Sequence, residues 1–413
     1  MTSVSIDSFV RSLDKGTRIF LPGSAAESAP LTDELCAADA PPLDITASFV
    51  PGINPMPIDL LLQGSALTCI FAHPGTSAAQ ALGTFRHLPL SYSGFARHIA
   101  DTLTFDICVV HVAPPNRDGR CSLGAAVEFA PIATAKSKRI VAIVNPRMPS
   151  MPGAQSLALD DIDTVIECDW PLREYHAGTI SDEAQRIADN VATFVEDGAT
   201  LQIGLGKTPD ALLRALTNRR RLRIYSGMTS DGVMALEAAG ALDPGWMHTG
   251  CVHVGSADYY KWLNGRPDMA TLDCSRTHAA GILAATPNLI AVNAALTVDL
   301  FGQANLETLD GRMISGVGGA PDFARGASQS QGGISIVALP STSRKGEVSR
   351  IVPSLTGLCS ITRSDIDVIV TEHGAADIRG CSVMERGRQL IMAAAPQHRA
   401  MLDEAFHSFS KRF

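Results

Sequence analysis

Along the chain, short unbroken runs of apolar residues alternate with longer stretches in which apolar positions recur every three or four residues. Runs of the first kind read as strands buried on both faces, and the amphipathic stretches between them as helices covering a parallel sheet. The pattern predicts strands over 107–112, 139–144, 201–203, 289–292, 334–339 and 368–371. It predicts helices over 181–196, 209–215 and 383–394, the last beginning after Gly380 and ending before Pro396, where helix breakers belong. The fold class this implies is α/β, built from repeated βα units.

A chain of 413 residues exceeds what one hydrophobic core organises, so two domains of roughly 200 residues each are expected. The sequence also echoes itself. Phe9-Val10 followed by the glycine turn, strand and glycine loop of 16–24 is matched by Phe194-Val195 followed by 198–206. This grammar suggests a tandem pair of α/β domains, 1–180 and 181–413.

Composition narrows the partners. The chain is 46% hydrophobic and 18% charged, with a formal charge of −8 and its cations scattered singly. No basic stripe exists to neutralise a run of phosphates, which argues against nucleic acid. Nine cysteines without a C-x-x-C pair read as reduced thiols in a cytoplasmic setting. The opening residues lack a basic segment followed by an apolar one, and no run reaches the roughly 18 apolar residues that cross a bilayer, so secretion and membrane insertion are not expected.

Two glycine loops are candidate sites. Gly204-Leu205-Gly206-Lys207-Thr208 follows a strand and opens a helix, a place where free N–H groups meet an anion, although a tight turn needs the same residues. Gly316-Val317-Gly318-Gly319 leaves its backbone bare, either to present N–H groups to a substrate oxygen or to pack closely. Downstream, Arg344 lies in a cationic segment that could face phosphates, and Glu372 and His373 end a strand. His248 and His253 flank Cys251 without further spaced ligands, so no metal site is expected, and no P-loop, G-x-S-x-G or H-E-x-x-H sequence occurs.

In this order, several segments resemble the acetyl-CoA hydrolase/transferase family, which includes 4-hydroxybutyrate and butyrate:acetate CoA-transferases. They are Leu201 to Leu212, Val298-Asp299-Leu300 with Gly302-Gln303, Ser315 to Ala327, Ser349 to Pro353, and Thr371 to Gly380, with Asp118-Gly119 and Asn145 to Pro149 upstream. The resemblance implies two tandem open α/β domains of CoA-transferase fold with the active site in the cleft between them, a homodimer or higher oligomer, and a CoA thioester as substrate with a small carboxylate as acceptor and no permanently bound cofactor. It implies that Gly204 to Thr208 and Gly316 to Gly319 line the thioester site, that Gly319 donates an oxyanion-hole N–H, that Arg344 stands near the CoA phosphates, and that His373 borders the cleft.

The same resemblance places the family's nucleophilic glutamate just before Val298-Asp299-Leu300, where this chain has Thr297. A threonine ester is a poor acyl donor and its hydroxyl is not ionised near neutrality, so ping-pong transfer through residue 297 is not expected. Three readings stay open: CoA transfer with another carboxylate, such as Glu307, as nucleophile; hydrolysis or C–C bond chemistry without a covalent glutamate; and thioester binding without chemistry.

Overall fold

The computed structural model describes residues 2–37 and 40–410. Its frame is a pair of eight-stranded sheets. The first is parallel throughout, with the central strand Arg18–Leu21 flanked on one side by Asp44–Ala47, Ala66–Cys69 and Phe85–His87. On its other side lie Phe105–Val112, Ser137–Val144, Thr164–Glu167 and the edge strand Thr2–Ser3.

The second sheet repeats this order. Thr200–Ile203 is central, Arg223–Thr229, His248–His253 and Met269–Thr271 step outward on one side, and Leu289–Ala294, Ile334–Ala338 and Val368–Thr371 on the other. Only its last strand, Gly374–Asp377, runs antiparallel. The chain is thus a two-domain α/β protein whose halves share one topology, as the echo between 16–24 and 198–206 suggests: both segments are the central strand and the loop after it.

The apolar runs behave as the patterning requires. Cys108 to Val110 and Val141 to Ile143 are fully buried, because helices cover both faces of a parallel sheet. The expected strand at 368–371 is found with those bounds, and the others lengthen by one to two residues or lose one at an end. The helix expected at 181–196 is Asp182–Ala192, capped by the Ser181 side chain on the N–H of Ala184. The last of the three, Val383–Ala393, starts with a capping box between Ser382 and Glu385.

Main-chain bonds cross between the halves. Val127 donates to the carbonyl of Cys251 (3.2 Å), His253 to that of Ala125 (2.7 Å) and Cys274 to that of Glu128 (2.9 Å). Among the described residues no helix is long and apolar enough to cross a membrane, and no group of three or more His, Cys, Asp or Glu could hold a metal ion.

Candidate active site in the interdomain cleft

The C-terminal ends of strands from both sheets converge on a cavity of about 340 Å³. In open α/β sheets this is where ligands bind. The N-terminal half contributes Val50, Pro51 and Ile53 beyond the strand Asp44–Ala47, Phe71 beyond Ala66–Cys69, and Tyr92 at the start of the helix Tyr92–Thr102. The C-terminal half contributes Gln202 to Leu205, Gly227, Met228, His278, Asn293, the loop Gly316 to Ala320, and Phe323. No lining residue is Asp, Glu, Lys, Arg, Ser, Thr or Cys.

The polar groups in this wall are few, and two side-chain amides among them are unspent. Gln202 Oε1 and Asn293 Nδ2 are buried with no hydrogen-bond partner among the described residues. They project from neighbouring parallel strands, Gln202 being the register partner of Ala291, two residues before Asn293. A buried amide left without a partner costs about 1–3 kcal/mol, so these two groups are provided for something that enters the cavity. The N–H groups of Gly318 and Gly319, just ahead of the ten-residue helix Ala320–Gln329, likewise donate to no acceptor among the described residues. With Asn293 Nδ2 they form a set of donors suited to an oxygen that gains charge.

His278 completes the wall as a neutral ring. Burial pushes its pKa down to about 3. The Thr277 hydroxyl donates to the Asp273 carbonyl (3.1 Å), which leaves its oxygen to accept from Nδ1–H of His278 (2.9 Å) and leaves Nε2 as an acceptor. The ring stacks on Tyr92 at 4.8 Å and meets the edge of Phe323 at 4.9 Å.

The bareness of the second glycine loop has mixed causes. A Cβ on Gly316 would sit 2.1 Å from the Ile70 carbonyl oxygen, and one on Gly319 would sit 2.4 Å from His278 Nε2. Close approach of the two halves accounts for the first, and packing of the loop on His278 within the C-terminal half for the second. The loop is also tied to the other domain, because Ala72 N–H donates to the Ser315 carbonyl and Tyr92 N–H to that of Gly318. Asp322 then accepts from the hydroxyls of Ser91 (3.0 Å) and Ser93 (2.6 Å).

The comparisons with known proteins agree with this architecture. The acetyl-CoA hydrolase/transferase N-terminal domain matches residues 67–170, and the C-terminal domain of the same family matches 255–406. A 4-hydroxybutyrate coenzyme A transferase of Clostridium kluyveri is 37% identical over 319 residues, 75% of this chain and 74% of that protein. The chain belongs to the acetyl-CoA hydrolase/transferase family. An acetyl-CoA hydrolase of Kluyveromyces lactis is 25% identical over 374 residues, covering 76% of this chain and 68% of its own length. The crystal structure of RipA from Yersinia pestis superposes with a TM-score of 0.91 at 27% identity, covering 99% of this chain and 98% of RipA.

Within this family fold the residues singled out from sequence divide into two groups. Gly204, Leu205, Gly316, Val317, Gly318 and Gly319 lie together on the cavity wall. Gly206, Lys207 and Thr208 stand just outside it: Gly206 precedes the helix Lys207–Ala215 with φ of 132°, and Lys207 is exposed. Thr297 is half-buried in a small separate sheet, its hydroxyl accepting from Asn305 Nδ2 at 3.0 Å, and is not part of the lining. Glu307 is buried, with Oε2 accepting from the Ser360 hydroxyl at 2.7 Å, and also lies off the wall. Arg344 is exposed and paired with Asp310 at 2.6 Å. His373 Nε2 lies 3.4 Å from Glu372, whose carboxylate is held by Ser341.

The Val298-Asp299-Leu300 motif has a structural task. The Asp299 carboxylate accepts from the N–H groups of Phe301, Gln303 and Leu355 and from the Gln303 side chain, fixing the turn at Gly302. Sequence reasoning passed over Tyr92, Gln202, Gly227, His278 and Asn293. A signal existed for two of them: Gln202 and Asn293 are side-chain amides near the C-terminal ends of buried strands, where a buried amide needs a reason.

Proposed function

We propose that the protein binds an acyl-CoA thioester in the cleft between its domains and hydrolyses it, with water rather than an enzyme carboxylate attacking the acyl carbon. The observation that carries this reading is the composition of the cavity wall, which has oxygen-binding donors and no carboxylate, serine, threonine or cysteine. Covalent transfer needs a carboxylate in contact with the thioester. In support, Thr297 is bonded to Asn305 and Glu307 to Ser360, and neither is among the lining residues.

In this reading the thioester oxygen rests against the N–H groups of Gly318 and Gly319 and Asn293 Nδ2, where charge develops as water adds. The acyl chain lies among Val50, Ile53, Phe71, Met228 and Phe323. That surface offers no cation, so an uncharged acyl group fits and one ending in a carboxylate does not. CoA would approach past the open Gly204 loop, where an added Cβ meets nothing within 4 Å.

CoA transfer to a small carboxylate is the second reading, favoured by the likeness to the Clostridium transferase. One experiment separates the two. Purified protein is incubated with butyryl-CoA with and without acetate, and free CoA is resolved from new thioester. Hydrolysis releases free CoA at a rate indifferent to acetate. Accumulation of acetyl-CoA in proportion to acetate, with a glutamyl-CoA adduct trapped by borohydride, would replace the hydrolase reading with transfer.

A further inference from the structure

Behind Tyr92 sits a buried carboxyl group that binding of the thioester does not require. Glu128 is 3% exposed, at the seam between the halves, with its carbonyl accepting from Cys274 N–H. Three hydroxyls converge on its carboxylate: Ser48 on Oε2 at 2.7 Å, and Tyr92 at 2.9 Å and Ser24 at 3.1 Å on Oε1. The backbone around this cluster is strained. Glu128 has φ of 41° and its partner Ser24 has φ of 48°, a left-handed conformation that non-glycine residues avoid. Two strained residues bonded to each other around one buried acid are the kind of arrangement found where chemistry is done.

The ionisable groups facing Glu128 bring it no cation. They are Cys69 from the strand Ala66–Cys69, Tyr92 from its helix, Cys251 from the strand His248–His253 and Cys274 from the helix Cys274–Thr277, all kept neutral by burial. Against that apolar setting the three hydroxyls only partly offset the loss of water, and the Glu128 pKa is pushed up to about 7. A glutamine could satisfy most of the same hydroxyls without a buried charge, so holding the core together does not call for a carboxyl group.

We propose that Glu128, acting through the Tyr92 hydroxyl, is the proton acceptor for the water that attacks the bound thioester. The inference rests on the hydrolase reading of the same cleft. As the water oxygen bonds to the acyl carbon, one water proton passes to Tyr92 Oη while the Tyr92 proton passes to Glu128. The carbonyl π electrons move to the oxygen held by the Gly319 N–H and Asn293. Collapse then breaks the C–S bond, and the departing thiolate takes a proton back along the same path, giving the free acid and CoA thiol. In this step Glu128 contacts neither water nor substrate, and Tyr92, a residue of the cavity wall, carries the proton between them.

The test uses the full chain and its variants Glu128→Gln, Glu128→Asp and Tyr92→Phe. Thiol release from butyryl-CoA is followed between pH 5.5 and 9, and binding of butyryl-CoA and of CoA by calorimetry in two buffers of different ionisation enthalpy. The expected wild-type rate rises tenfold per pH unit up to about 7 and then levels. Glu128→Gln and Tyr92→Phe should lose about 100-fold or more in kcat, the scale of general-base assistance, and lose that pH limb while binding within about threefold of wild type. Glu128→Asp should restore part of the rate together with the limb. Proton exchange on binding near pH 7 should be present in wild type and absent in Glu128→Gln. A Glu128→Gln protein that keeps both rate and pH limb overturns the proposal and leaves the hydrolase reading standing. A wild-type protein that binds butyryl-CoA without releasing thiol ends the hydrolase reading and the proposal with it. Should Glu128→Gln not fold, Tyr92→Phe alone decides, since its ring still fills the same space.

Discussion

The loop that follows the central strand of each sheet has the same place in the fold and the opposite use. In the first half it is packed shut: a Cβ on Gly23 would lie 2.0 Å from the Ser48 carbonyl oxygen, and Ser24 is bonded to Asn54 and Glu128. In the second half it is open, with Gly204 facing empty space and Gly206 free to turn into the helix Lys207–Ala215. A shared topology has been divided between two tasks. One half supplies a rigid apolar wall with a buried acid behind it, and the other supplies bare backbone and amide groups.

The largest expected effect comes from placing alanine at one glycine in each of these two loops. Gly23→Ala forces a methyl group into a backbone carbonyl, and should cost about 3 kcal/mol or more, lowering Tm by roughly 10 °C. Gly204→Ala adds a methyl group to open space and should leave stability within about 0.5 kcal/mol, yet weaken acyl-CoA binding about tenfold. Thermal denaturation and calorimetry on the pair check this. A stable Gly23→Ala protein with impaired binding would reverse the assignment of tasks.

A somewhat smaller effect isolates the buried acid of the first half. The folded-state pKa of Glu128, about 7, lies above its ordinary value of 4.5. The native state therefore holds this proton more tightly than the unfolded chain does, and the stability contributed is fully present below pH 4.5 and lost as pH rises through 7. Glu128→Gln, which never ionises, should be more stable than wild type by about 3 kcal/mol at pH 8 and by much less at pH 5. Urea unfolding at the two pH values measures the difference. Equal displacement at both would mean that Glu128 ionises as freely as in water.

Next in size is the discrimination between acyl groups. The cavity wall has aliphatic and aromatic faces, two amides and a neutral imidazole. A terminal carboxylate would enter without a partner, so succinyl-CoA should be turned over at least about tenfold less efficiently than butyryl-CoA. Comparison of kcat/KM values decides it, and a preference for succinyl-CoA would require a cation that the wall does not contain.

What the sequence made legible follows from how each feature is encoded. Long apolar runs such as 107–112 and 139–144 announce central strands because they are buried on both faces. The strands Asp44–Ala47, Ala66–Cys69 and Phe85–His87 are not marked in the sequence, because Thr46, Thr68 and Arg86 interrupt them and leave no continuous apolar run. Glycine-rich turns were visible as turns. Whether a glycine makes room for a neighbour, as Gly316 does for Ile70, or for a ligand, as Gly204 can, depends on what packs against it from far along the chain. The same holds for charge: the sequence shows the Arg344 cation but not that Asp310 stands against it. Tyr92, His278 and Glu128 acquire a role only when the two halves meet.

The smallest effect concerns Thr297, and it tests whether the cleft extends as far as its motif. Were residue 297 in contact with the thioester, Thr297→Glu would add a carboxylate beside the acyl carbon, and attack within a pre-formed site would raise CoA transfer by orders of magnitude. Its hydroxyl instead accepts from Asn305, in the small sheet formed with Ala304–Asn305 and Ile351–Val352, and the residue is not part of the cavity lining. A half-buried glutamate there can still accept from the Asn305 amide, so stability should fall by no more than about 1 kcal/mol. Acetate-dependent formation of acetyl-CoA from butyryl-CoA should stay at the wild-type level, and borohydride should leave residue 297 unmodified in mass spectrometry. A Thr297→Glu protein that gains acetate-dependent transfer and a trappable glutamyl-CoA adduct would show that the thioester reaches this sheet. In that case the open half of the molecule would hold the acyl carbon well beyond the Gly204 and Gly319 loops, and the donors at Asn293 and Gly319 would have to be assigned to another part of the substrate.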